Sequence, residues 1–285
     1  MPPYDPLVAY DFSSWVSRVV EVVKRSGIRL LVLLTMSYLL TLAILAGFAV
    51  SMIFGLFGEP DSPEPWRIIL IGLAVTSVVL AFYLRVVADL AMVNVATNDA
   101  AGQPVRLRDA YRSCLRLGWP TLGWSILAGL VTFLGFLMCI LPGLYLAVAF
   151  ALLIPVMAFE RRSGMNGSFR LVDGNFWPTA GRLVLLHVVV FVVSIALQQA
   201  IGLLVPFTLE PVLDPELAFG YPTVGFPGML AGIWPLILIA MLINAVLQLL
   251  TEIVLLAGTL VVYAELRGRR QPGLNTAQLA AEVNA

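Results

Sequence analysis

The chain has 285 residues, 60% of them hydrophobic and 12% charged, with a formal net charge of zero. Soluble domains are nearer half apolar and a quarter charged. The composition therefore excludes an ordinary soluble protein and predicts a polytopic membrane protein, while the balanced charge predicts no nucleic-acid partner.

Residues 1–28 read as an amphipathic N-terminal helix. Phe12, Trp15, Val16, Val19, Val20 and Val23 share one face, opposite Ser14, Ser17, Arg18, Glu21, Lys24 and Arg25. That period fits a helix lying in the membrane surface. No cleavable signal peptide is expected, because the first apolar run is too long for one and follows this charged segment. Six apolar runs follow, at 29–56, 67–88, 119–141, 143–159, 182–205 and 232–264. A bilayer core needs about 20 apolar residues per helix, so each is read as a span. Leu141-Pro142-Gly143 reads as a tight turn between the third and fourth spans, and Pro155 as a kink in the fourth. Trp119-Pro120 and Trp177-Pro178 read as a start signal used twice, since Pro suits the first turn of a helix.

Basic residues orient the spans. Arg18, Lys24, Arg25 and Arg29 precede the first. Arg106, Arg108, Arg112 and Arg116 separate the second and third, Arg161, Arg162, Arg170 and Arg182 the fourth and fifth, and Arg267, Arg269 and Arg270 follow the sixth. Glu59, Asp61, Glu64, Glu210, Asp214 and Glu216 fall on the opposite side. Both termini are then cytoplasmic.

Shorter amphipathic segments also precede the third and fifth spans. Leu107, Tyr111, Cys114 and Leu115 oppose Arg108, Asp109, Arg112 and Arg116, and Met165, Phe169, Val172 and Phe176 oppose Asn166, Arg170 and Asp173. The expected fold is all-α, with six transmembrane helices as three hairpins, each preceded by a cytoplasmic interfacial helix. It forms one membrane domain, 1–285. Within it 1–28 is the N-terminal helix, 29–98 holds spans 1–2, 106–160 an interfacial helix and spans 3–4, 164–266 an interfacial helix and spans 5–6, and 267–285 a cytoplasmic tail.

The stretch LPGLYLAVAFALLIPVMAFERRSGMNGSFRLVDGNFWPTAGRL, from Leu141, carries Pro142, Gly143, Tyr145, Pro155, Glu160, Gly164, Ser168, Arg170, Gly174 and Trp177. The sixth span ends in Tyr263-Ala264-Glu265-Leu266-Arg267-Gly268-Arg269. These residues resemble the bacterial integral-membrane family known as the glycerophosphoryl diester phosphodiesterase membrane domain, with its YciC-like relatives. The likeness is dense over 141–182 and 255–282 and rests on topology elsewhere, and Asp173 replaces the usual apolar residue before Gly-x-x-Trp. It implies a bacterial cytoplasmic-membrane protein. The phosphodiesterase of the family name is a separate catalytic barrel whose acidic and His ligands this sequence lacks, so no such activity and no cofactor is expected.

Polar groups at membrane depth are functional hypotheses. Gln198 and Gln199 in the fifth span and Gln248 and Glu252 in the sixth are predicted at similar depth, as a candidate polar cluster. Interhelical packing bonds are the competing account. Arg85 and Asp89, four apart, read as an ion pair on the helix flank. With one His and two Cys (Cys114 and Cys139) no zinc site is expected, and acid–base catalysis has little to use. The expected role is an accessory or scaffold in envelope or lipid homeostasis, the alternative a transporter or lipid-translocating protein around Glu252. Expected partners are membrane lipids, including anionic headgroups at the arginines, and a membrane protein or a second copy.

Overall fold

The structure is a computed structural model that describes residues 5–9, 11–57, 64–103, 105–161, 163–209, 226–271 and 273–284. Side chains at 51, 54–57, 64–67, 201–209 and 226–237 lie outside that description, as do the loop of Glu59 and Asp61 and the segment 210–225 with its acidic residues. The described elements are α1 (Phe12–Phe57), α2 (Glu64–Ala100), α3 (Leu107–Met138), α4 (Ile140–Phe150), α5 (Leu153–Phe159), α6 (Gly164–Val172), α7 (Phe176–Leu209), α8 (Phe226–Arg270) and α9 (Thr276–Asn284). Among the described residues six stretches are long and apolar enough to cross a membrane: five lie within α1, α2, α3, α7 and α8, and the sixth is α4 with α5. The chain is a multi-pass membrane protein.

Several boundaries differ from the sequence reading. The first amphipathic segment is not a separate helix, because α1 runs unbroken for 46 residues. At 1.5 Å per residue it is about 69 Å long, more than twice a bilayer core. The surplus turns find a protein partner in place of the membrane surface: Trp15, Val19 and Val22 are buried, while Phe12, Val16 and Val20 stay exposed. The second segment likewise continues directly into α3. Only the third stands alone, as α6.

The turn between the third and fourth spans also moves. Cys139 is the break, extended at φ −170° and ψ 153°, and Pro142 and Gly143 fall inside the first turn of α4. Pro tolerates that position because the first-turn N–H has no helical partner. A Cβ on Gly143 would meet the Phe136 ring and stand 2.8 Å from the Phe136 backbone nitrogen. A side chain there would push the ends of α3 and α4 apart. The fourth span is interrupted at Ala151 and Leu152. Pro155 has no N–H to offer the Ala151 carbonyl, which accounts for the interruption.

The two Trp-Pro copies do different jobs. Pro178 lies in the first turn of α7, as a start signal should. Pro120 lies deep inside α3. There it removes the bond to the Arg116 carbonyl, and nearby the Tyr83 hydroxyl of α2 donates to Leu115 O at 2.7 Å. Gly118 brings α2 and α3 together, since a Cβ would lie 2.5 Å from Val87 and 2.8 Å from Tyr83.

The segment predicted as a free tail holds α9, which packs on α2 and α5. Contacts divide the chain into two units, Val184–Leu255 and the remainder. Among the described residues the first contains parts of α7 and α8. The second contains the arginine-rich helix ends, α9 and the N-terminal segment.

Candidate functional site

The last turns of α8 carry Glu265, Arg267, Arg269 and Arg270 within two helical turns. Tyr263 is fully buried and its ring stacks on Phe159 of α5, centroids 5.0 Å apart and planes 9° apart. Its hydroxyl donates to Glu160 Oε1 at 3.4 Å and accepts from Arg267 Nη1 at 3.1 Å. Arg267 reaches Glu282 of α9 through both terminal nitrogens, with Nη2 3.0 Å from Oε1. Its Nε lies 4.0 Å from Glu160 Oε1. One guanidinium thus joins two carboxylates and a phenol, each from a different turn or helix. This planar fork geometry suits Arg and not Lys.

On the same end of α8, buried Glu265 takes Arg182 of α7 on one oxygen and Arg269, at 2.7 Å, on the other. Arg29 of α1 pairs with Asp99 of α2, and Arg25 donates to the Ala100 carbonyl at 3.2 Å. Asn98 and Asn284 exchange amide hydrogen bonds, the shorter at 2.8 Å. Asp5 completes the set by accepting from the Thr276 backbone N–H at 2.9 Å and from its hydroxyl at the start of α9. Burial would raise the Asp5 carboxyl. The Thr276 hydroxyl and the N–H groups of Val8, Thr276 and Leu7 outweigh it and hold the group below its ordinary 3.8.

The motif residues behave as a set only in part. Glu160, Tyr263 and Arg267 converge on the network just described. Tyr145 joins α4 to α6 and α7, its ring 6.3 Å from Phe169 and 5.0 Å from Phe176. Pro155 and Ser168 are buried, and the Ser168 hydroxyl has no hydrogen-bond partner among the described residues. Gly174, at φ +80°, follows the end of α6. Arg170 and Trp177 are exposed, Trp177 at 82%. Pro142 and Gly143 serve the α3–α4 corner. Sequence spacing did not reveal Glu282, the fourth member of the Arg267 cluster. The only local clue was Asn275-x-x-Gln278, whose two side chains cap α9 reciprocally at 2.8 and 3.3 Å.

The predicted membrane-depth cluster lies in the other unit. Gln198, Gln199 and Gln248 are exposed on α7 and α8, and Glu252 is half-buried. Beside it the hydroxyls of Ser194 and Thr251 stand 3.4 Å apart, a polar link between α7 and α8. Arg85 and Asp89 form the expected ion pair at 3.4 Å, and the Arg85 guanidinium also sits 5.3 Å from the Tyr38 ring centroid. Among the described residues no three His, Cys, Asp or Glu side chains are placed to hold a metal ion.

The arginine-rich end has a second face. Arg108, Arg112 and Arg116 recur every fourth residue on α3 and are exposed, opposite buried Ala110, Cys114 and Gly118. Comparison of the chain with family models, curated proteins and solved structures finds no match.

Proposed function

We propose that this chain is a non-enzymatic protein of the bacterial cytoplasmic membrane, with both termini inside, that acts as an accessory or scaffold in envelope or lipid homeostasis. It would belong with the YciC-like membrane proteins its motifs resemble. The observation that carries the reading is the division of labour among the arginines. Arg25, Arg29, Arg182, Arg267 and Arg269 are engaged by Glu21, Asp99, Glu265 and Glu282. The stripe of Arg108, Arg112 and Arg116 is exposed on α3. Such a stripe suits anionic headgroups or the acidic face of a membrane partner.

Two measurements test this. Gently solubilised protein should retain its membrane partner in stoichiometric amount, and the triple change of Arg108, Arg112 and Arg116 to Gln should release it without lowering Tm. Turnover of glycerophosphodiesters by the purified chain, or lipid movement by the chain alone in vesicles, overturns the non-enzymatic accessory reading. Lipid or ion flux that is lost in Glu252→Gln favours the transporter alternative, whose supporting observation is the half-buried carboxylate beside Ser194–Thr251. Sidedness is read by cysteine labelling. A membrane-impermeant maleimide should reach Cys139, which is exposed, from outside intact cells. A cysteine placed at Gln271 in the Cys139→Ser background should react only after permeabilisation.

A further inference from the structure

A cavity of about 210 Å³ lies between α1 and α2. Its lining changes character along its length. Ser37, Tyr38 and Arg85 form one end, nearer the arginine-rich ends of both helices, and Leu45, Val78 and Phe82 line the rest. Leu45 and Phe82 are also exposed on the outer surface, at 38% and 63%, so the cavity opens sideways onto the apolar face that meets lipid. Ser37 is only 4% exposed, yet its hydroxyl has no hydrogen-bond partner among the described residues. A buried hydroxyl left this way is costly, and here it faces a space that a ligand can fill.

The charges add direction. Arg85 is the first charged side chain on α2 after the apolar run that begins at Ile68, and Asp89 follows one turn nearer the arginine-rich end. Moving along α2, a ligand would meet apolar wall, then a guanidinium, then the carboxylate of the next turn, its oxygen 3.4 Å from the guanidinium. A phospholipid entering from the leaflet at that end presents the same order: acyl chain, phosphate, then an outer ammonium if the head carries one. Because Arg85 and Asp89 together are neutral, an anionic head would place uncompensated charge against Asp89. An aminophospholipid satisfies both.

We propose that this cleft binds one zwitterionic aminophospholipid, its phosphate at Arg85 and Ser37, its ammonium at Asp89 and one acyl chain along Leu45, Val78 and Phe82. The site rests on the membrane placement of α1 and α2 but not on the accessory role. Lipid titration of the purified chain reads the site alone, whereas partner retention reads the role alone.

The experiment is native mass spectrometry of the full, delipidated chain titrated with dioleoyl phosphatidylethanolamine, dioleoyl phosphatidylglycerol and inorganic phosphate. Phosphatidylethanolamine should bind about tenfold tighter than phosphatidylglycerol, a difference near 1.4 kcal/mol, and inorganic phosphate should not hold. Asp89→Asn should erase the preference. Ser37→Ala should weaken phosphatidylethanolamine several-fold while the Tm of the lipid-free protein stays level or rises, which a merely structural serine would not do. Ala81→Phe, which fills the cavity, should abolish the bound lipid. Equal binding of the two lipids with no response to Asp89→Asn overturns the headgroup assignment. Undiminished phosphatidylethanolamine on a folded Ser37→Ala or Ala81→Phe variant overturns the site, and phosphate alone binding as well as lipid overturns the ligand class.

Discussion

Within α2, Ile68, Ile69, Ile71, Leu73 and Val75 turn outward, while Asn94, Thr97, Asn98 and Asp99 of the same helix are buried. In water such a helix would be inside out. In lipid the exposed apolar half needs no cover, because acyl chains solvate it as well as protein does. The other half extends past the apolar run, and there neighbours must build a core of the kind water demands. Val87, Ala88, Leu90, Ala91 and Val93 supply it, and the buried amides and hydroxyls are satisfied locally, as in Thr97 to Val93 O at 2.8 Å and Asn98 to Asn94 O at 2.9 Å. Specific tertiary bonds therefore concentrate in the arginine-rich half.

That contrast can be broken or sharpened by substitution. The largest effect is expected for Glu265→Ala, which strands Arg182 and Arg269. Loss of one partner from a buried ion pair costs about 3–5 kcal/mol, read as a large fall in unfolding midpoint in mild detergent, and a near-neutral result would erase the contrast. Gly143→Ala should cost about 1–3 kcal/mol through overpacking against Phe136, with no change in the partner stripe on α3.

Asp5→Asn should loosen α9 by about 1 kcal/mol, the usual worth of a cap. It also tests pH dependence. The folded Asp5 carboxyl lies below its ordinary 3.8, so its contribution is present above that value and fades as pH falls through the lower folded one. The protection of amides in 276–284, taken relative to the intrinsic exchange rate at each pH, should fall below about pH 4 in the parent chain, and Asp5→Asn should lose that part of the slope. The smallest effect is expected for Ile71→Ala on the lipid-facing half, within about 0.5 kcal/mol. A cost like that of Glu265→Ala would mean that Ile71 meets a second protein copy.

The spans were legible because hydrophobicity over twenty residues is a strong signal that tertiary context rarely overrules. Their ends were not. The Val19 and Val22 face suits either a membrane surface or a neighbouring helix, and only packing decides between them. Pro142-Gly143 carries turn chemistry, yet Pro fits the first turn of α4 equally well, so the break fell at Cys139. Glu160, Tyr263 and Arg267 were picked out as motif residues, but nothing in their spacing shows that Glu160 meets the other two, since it is over 100 residues from them. Glu282, 15 residues beyond Arg267, was hidden on a helix too short and polar to stand out from a tail.

The Asp5–Thr276 contact couples two segments that lie some 270 positions apart in the chain. Leu7 and Val8 are buried, and both of their backbone N–H groups donate to the Asp5 carboxylate that also holds the start of α9. One carboxylate thus orders both segments, so a change that loosens the first turn of α9 also loosens the backbone of residues 5–9.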